Sequence, residues 1–190
     1  MSEQTDDDET FLRNLREKIQ NKSFKPVEPQ PLNTLDWRNP EDVKTYLDNL
    51  FVEYNFQCMS EKRPDGCHRL ANFFENIRAQ YKEATAIYKK NCDDYKYARS
   101  CSVYAKNCSL GRGIKQNLLE ACRYSFIACD LGMADGCLNA GICQMDGVGG
   151  LPINVSDAVK YLNRACDEKN PIACISYKYG ILSHLFINTS

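Results

Sequence analysis

The sequence predicts an all-α protein: an α/α superhelix, or solenoid, of helix–turn–helix repeats whose corners are stapled by disulfides. Three recurrences carry this reading. Four cysteine pairs, Cys58/Cys67, Cys92/Cys101, Cys129/Cys137 and Cys166/Cys174, follow one another at intervals of 34 to 37 residues, and a period of that size marks stacked supersecondary units. Alanines stand eight residues before three of the leading cysteines, at Ala84, Ala121 and Ala158. Glycines stand ten and twelve residues after two of the trailing cysteines, at Gly111/Gly113 and Gly147/Gly149.

In chain order, residues 1–38 read as a flexible N-terminal extension. It opens on the acidic run Asp6-Asp-Asp-Glu9. Phe11, Leu12, Leu15 and Ile19 fall at helical spacing around Thr10–Gln20. Pro26, Pro29 and Pro31 then impose an extended linker. Regular structure begins at Asn39, a good N-cap, with Pro40 at the first helical position and Glu41 and Asp42 complementing the helix dipole. Val43, Tyr46, Leu47, Leu50 and Phe51 give that helix one apolar face, so 39–57 is expected to cap the first end of a solenoid spanning 39–190. Units follow at about 58–92, 93–129 and 130–166, with a partial unit at 167–190.

Each unit is expected to hold a helix A starting near the trailing cysteine, a turn, and a helix B ending at the next leading cysteine. The alanines mark the close-packed face of helix B, and Ile87, Tyr124 and Tyr161 lie five residues before its cysteine. The recurrent acids Glu83, Glu120 and Asp157 read as structural or solvated. The glycines end helix A because left-handed backbone angles cost glycine nothing sterically; the first unit lacks them and needs a different turn. In the last unit only a helix A remains, from Ile175 to about Phe186, and the expectation is a shortened product.

Residues eight or nine apart on one helix are separated by roughly 12–13 Å along its axis, whereas a disulfide needs Cα atoms about 4.4–6.8 Å apart. The pairs close only where the helix breaks. Breakers stand in each interval: Pro64-Asp-Gly66, Asp93-Asp94, Gly132 and Asn170-Pro171. Each bridge would stabilise by about 2.5–3 kcal/mol through loop closure. Cys108, Cys122 and Cys143 sit on the same helices as paired cysteines, too far along them to bridge, and are expected to be free buried thiols; a Cys108–Cys122 link stays open as the alternative. Structural zinc competes for the pairs, but no C-x-x-C occurs and the only histidines are His68 and His184. No metal and no cofactor are expected.

A net charge of −1 gives no footprint for nucleic acid, and no apolar run approaches the roughly 18 residues that span a bilayer. Eleven cysteines without a secretory signal point to the mitochondrial intermembrane space, with a reduced cytoplasmic protein as the alternative. No Ser-x-x-Lys or Gly-x-Ser-x-Gly offers a nucleophile, and Gly111-Arg-Gly113 lacks the strand and the Lys-Ser/Thr of a phosphate loop. His68 follows a bridged cysteine and is expected on a helix surface. No catalytic residue is expected. Four glycosylation sequons, at Asn21, Asn107, Asn154 and Asn188, matter only in the secretory pathway.

The Ala-x7-Cys-Asp pattern, the C-x7/8-C corners and the Gly-x-Gly turns resemble the Sel1-like repeat family in its disulfide-bridged, Hcp-type form, over roughly Cys58 to Tyr179. Glu41-Asp-Val-Lys-Thr-Tyr-Leu-Asp-Asn-Leu50, Cys58-x5-Pro64-Asp-Gly-Cys67 and Arg164-Ala-Cys166-Asp167 resemble its mitochondrial branch, the assembly factors of cytochrome c oxidase. The resemblance implies a non-catalytic intermembrane-space factor. Its partners would be respiratory-chain subunits, other assembly factors and the oxidative import machinery. Tyr88, Tyr97, Tyr104 and Tyr124 are expected to line the concave face that holds a partner, some of the rings filling gaps between helices instead. The alternatives are a thiol–disulfide oxidoreductase or cofactor carrier serving metallochaperones, and a Sel1-repeat adaptor outside mitochondria.

Overall fold

Among the described residues of the computed structural model, seven α-helices follow in chain order: α1 (Pro40–Met59), α2 (Pro64–Asn76), α3 (Tyr81–Tyr95), α4 (Ala98–Leu110), α5 (Leu118–Asp130), α6 (Ala134–Asp146) and α7 (Val155–Asp167), with a short 3-10 turn at Val148–Gly150. The structure describes residues 35–168 together with Pro171, Ile172, Cys174 and Ile175. The expected Thr10–Gln20 helix, the proline linker and the helix from Ile175 to Phe186 with His184 lie outside the described residues, Ile175 itself excepted. Among those described there is no strand, and no helix is long and apolar enough to cross a membrane.

Helix starts are written locally. Asn39 accepts from the Glu41 N–H at 3.1 Å, ahead of Pro40. Asn117 and Asn154 do the same for Glu120 and Asp157, at 3.0 and 3.1 Å, which places the recurrent acids in the first turns of α5 and α7, where the helix dipole favours them. Helix ends are equally explicit. Gly111 and Gly147 take left-handed angles (φ 68° and 65°) at the ends of α4 and α6. The first unit, which has no glycine in this turn, uses Ala79, with φ 52°, between α2 and α3.

The recurrent alanines are buried: Ala84 and Ala158 are 0% exposed and Ala121 6%. With no side chain beyond Cβ, they let neighbouring helices approach and bury apolar surface around them. One cluster gathers Leu70, Phe74, Ile87, Tyr88 and Tyr104 from α2–α4, and a second gathers Leu138, Ala140, Leu162 and Ala165 from α6 and α7. Helices pack principally against their neighbours in sequence, the arrangement that a repeat array requires. Gly113 and Gly149, each two residues beyond a capping glycine, tie one unit to the one before. A Cβ on Gly113 would lie 2.1 Å from the Tyr81 carbonyl oxygen, and one on Gly149 2.7 Å from the Leu119 backbone.

Candidate functional site

The sulfur chemistry sits at the corners where a B helix turns into the next A helix. Cys58 and Cys67 join α1 to α2, Cys92 and Cys101 join α3 to α4, and Cys129 and Cys137 join α5 to α6. Their Cα separations are 4.4, 4.8 and 4.4 Å. Cys166, in the last turn of α7, is bonded to Cys174 beyond it, with a Cα separation of 4.6 Å. The residue before the trailing cysteine is small at the first three: Gly66, Ser100 and Gly136. A Cβ on Gly66 would meet Gln57 Cβ at 2.5 Å, and one on Gly136 would meet Ala128 Cβ at 2.6 Å. The widest of the three corners is the one where serine replaces glycine.

Two of the three cysteines expected as free thiols are not free. Cys122 and Cys143 form a fifth disulfide, with an S–S distance of 2.03 Å and a Cα separation of 5.8 Å. The expectation measured each cysteine against its neighbour along one helix. In an antiparallel hairpin, however, a residue seven before the leading corner cysteine faces one six after the trailing cysteine. The signal was in the spacing: Cys122 is seven before Cys129 and Cys143 six after Cys137. Cys108 falls one residue past that position in its own hairpin and is a buried free thiol. Burial pushes its pKa up to about 11, Glu120 adds to this, and a hydrogen bond with Tyr104 and the charge of Lys89 oppose it. At neutral pH it is a protonated thiol, a poor nucleophile.

The tyrosines also need correction. Tyr88, Tyr104 and Tyr124 are 0%, 2% and 3% exposed and cannot line a partner-holding face. Each ring fills an inter-helix gap, and polar groups reach its hydroxyl there. Tyr88 Oη lies 2.5 Å from Asn72 Oδ1 and 2.9 Å from Glu75 Oε2. Tyr124 donates to Asp93 Oδ1 at 2.6 Å, bridging α5 to α3, and its ring meets Tyr104 edge-on at 4.5 Å. Burial raises all three phenol pKa values. Tyr97 alone stays partly exposed, its ring 5.5 Å from His68.

His68 does not sit on an open helix surface; it is half-buried between the rings of Tyr88 and Tyr97. Its Nδ1 is 3.0 Å from Ser100 Oγ. Asn91 Nδ2 donates to that oxygen at 2.7 Å and to the Pro64 carbonyl at 2.9 Å. The direction of the His68–Ser100 bond is set by the imidazole's tautomer, and His68 is neutral at neutral pH. Burial lowers its pKa to about 4, helped by Arg99 and opposed by Glu75. This seam joins α2, α3 and α4 beside the Cys92–Cys101 corner. Asn91 also lines a cavity of about 50 Å³ with Cys58, Cys67, Lys62 and Lys90, and its Oδ1 is buried without a partner among the described residues. No group of three or more His, Cys, Asp or Glu there could hold a metal ion. The sequon residue Asn107 is 1% exposed and donates to Thr85 Oγ1 at 2.9 Å, so in the folded chain it is closed to glycosylation.

No family model matches the sequence. The chain is 38% identical over 149 residues to cytochrome c oxidase assembly factor 7 of Xenopus tropicalis, covering 75% of this chain and 64% of that protein. It is 30% identical over 158 residues to cytochrome c oxidase assembly factor 7 of Danio rerio, covering 80% of this chain and 67% of that one. The chain thus spans less than two thirds of the length of the Xenopus tropicalis relative and 67% of that of the Danio rerio one. Among solved structures, a Sel1 repeat protein from Oxalobacter formigenes superposes with a TM-score of 0.63 at 17% identity, over 72% of this chain and 56% of its own. That likeness establishes the Sel1-repeat solenoid as the fold. With the fold so placed and a sequence match covering 75–80% of this chain, the protein belongs to the cytochrome c oxidase assembly factor 7 family.

Proposed function

We propose that this chain is a non-catalytic, protein-binding factor that supports assembly of cytochrome c oxidase from the mitochondrial intermembrane space. The observation that carries the reading is the pairing of ten cysteines into five bridges in a relative of proteins named for oxidase assembly. Bridges of this number form and persist only where the compartment is oxidising. A stack of hairpins joined by short, tied corners offers a long rigid surface, and repeat solenoids use such surfaces to hold other proteins. The partners are respiratory-chain subunits or assembly factors, reached after oxidation on import. Because Tyr88, Tyr104 and Tyr124 are buried, the binding surface is built from other residues.

The test combines location with sulfur state. Mitochondria are isolated, the outer membrane is ruptured, and protease is added, with alkylation in denaturant before and after reduction read by intact mass. The expected protein is protected until rupture and carries one alkylatable thiol before reduction and eleven after. A fully reduced cytosolic pool, or unchanged oxidase levels on depletion, would remove the assembly role. A second reading, thiol–disulfide exchange or cofactor delivery to metallochaperones, has one observation in its favour. The Cys58–Cys67 bridge borders a cavity that Lys62 and Lys90 also line, a setting that favours an incoming anionic thiolate. Under that reading this bridge is reduced ahead of the other four at glutathione-like potentials.

A further inference from the structure

The first end of the solenoid carries an open groove of about 410 Å³ between α1 and the end of α2. Its walls include Val43, Leu47 and Phe73, and its lips are Trp37 and Ile77, which are 56% and 52% exposed. Trp37 packs edge-on against Tyr46 at 5.3 Å and so stands fixed at the rim. Three cations, Arg38, Lys44 and Arg78, surround the apolar floor, against one anion, Asp48. Arg78 is held by the Phe51 ring, 4.1 Å from its centroid. An apolar floor with a basic rim fits an amphipathic helix led by acids.

We infer that this groove is the seat of the chain's own N-terminal segment, which lays Phe11, Leu12, Leu15 and Ile19 on the apolar floor and its acidic run on the basic rim. Residues 1–34 join the described chain at Leu35, two residues before the Trp37 lip. Glu3, Asp6, Asp7, Asp8 and Glu9 precede the apolar residues, so the acids occupy the N-terminal end of that segment. The 14 residues 21–34 reach up to about 46 Å when extended, while the part of α1 that borders the groove is only about 12 Å long. The linker therefore allows the segment to return to the groove from which the chain departs. Val43, Tyr46, Leu47 and Leu50 are only half-buried on α1, and a repeat array needs its terminal apolar face covered. The inference concerns the end of the solenoid and stands independently of the assembly role.

Trp37 is the only tryptophan in the chain, so its fluorescence reports on the groove directly. In the full chain, Phe11→Asp with Leu15→Asp should shift the emission to the red and at least double quenching by acrylamide. Amide exchange across Val43–Leu50 should rise, while exchange in α5 and α6 stays as it was. A peptide of residues 1–22 added to that variant should restore the blue-shifted emission, and should fail to do so when Leu47→Asp is also present. Identical emission and quenching with and without the two aspartates would overturn the proposal. Protection of Trp37 that disappears on dilution would assign the groove to a second copy, and protection that appears only with another protein present would assign it to a partner; either result overturns docking within one chain.

Discussion

Cys122 and Cys143 occupy a position that every described hairpin fills in its own way. Seven residues before the leading corner cysteine and six after the trailing one, α1–α2 places Phe51 and Phe73, with ring centroids 5.7 Å apart. At the same offsets α3–α4 places Thr85 and Asn107, hydrogen-bonded at 2.9 Å, and α5–α6 places the fifth disulfide. The contact is aromatic, then polar, then covalent, on one backbone geometry. Replacing the pair by Cys122→Ala and Cys143→Ala should lower stability to urea by about 2–3 kcal/mol, since the corner bridge at Cys129–Cys137 already shortens the loop that this link closes. Cys108→Ala removes only a small buried sulfur that closes no loop and should cost about 1 kcal/mol. A pair loss no greater than the Cys108 loss would mean that the two sulfurs are not bonded in solution. The same residues show what a sequence conveys. Cysteines flanking a helix breaker announce a corner because their neighbours along the chain are enough to place them. Cys122 and Cys143 face each other only once the hairpin register is known. The tyrosines fail for another reason: composition does not reveal that Asn72, Glu75 and Asp93 will reach the hydroxyls and make burial tolerable.

At the scale of the element, the loop from helix A to helix B divides its work between two glycines that look alike in the sequence. Gly111 and Gly113 both have positive φ, 68° and 71°. A Cβ on Gly111 would make ordinary contact with Gln116 at 3.4 Å, whereas one on Gly113 would enter the Tyr81 carbonyl at 2.1 Å and the Lys82 nitrogen at 2.8 Å. The obstacle in the second case is backbone at the start of α3, which cannot swing away. Gly111→Ala should therefore cost about 1 kcal/mol, the price of left-handed angles alone. Gly113→Ala should cost about 3 kcal/mol or more, because the loop must lift off the preceding unit. Thermal unfolding of the two single variants separates these effects, and equal losses would show that the close approach to Tyr81 is not maintained in solution. Recurrence of the glycines made the turn legible. Which glycine caps and which one docks depends on a neighbour about thirty residues earlier, beyond the reach of local pattern.

Across the whole molecule, helices touch chiefly the helices next to them in sequence, and few side chains reach further. Tyr124 bonds Asp93 at 2.6 Å. Arg112 pairs with Glu75 at 3.1 Å. Arg164 donates to the Cys129 carbonyl at 2.9 Å and lies 3.6 Å from Asp130. A chain built this way is stabilised by intrinsic unit terms and nearest-neighbour interfaces, so damage at one end spreads only as far as the interfaces transmit it. Cys58→Ala with Cys67→Ala removes the bridge that fixes α1 on α2, a local loss of about 2.5–3 kcal/mol. Amide exchange should then rise by roughly two orders of magnitude in α1, where 1.4 kcal/mol corresponds to a factor of ten in the opening equilibrium. The increase should be smaller in α2, where Tyr88 still holds Asn72 and Glu75 through α3. It should be absent from α5 and α6, whose hairpin keeps both of its own bridges. A uniform increase across all seven helices would instead mark the solenoid as one cooperative unit, in which the corners do not act independently and the first disulfide stabilises the last helix as much as the first.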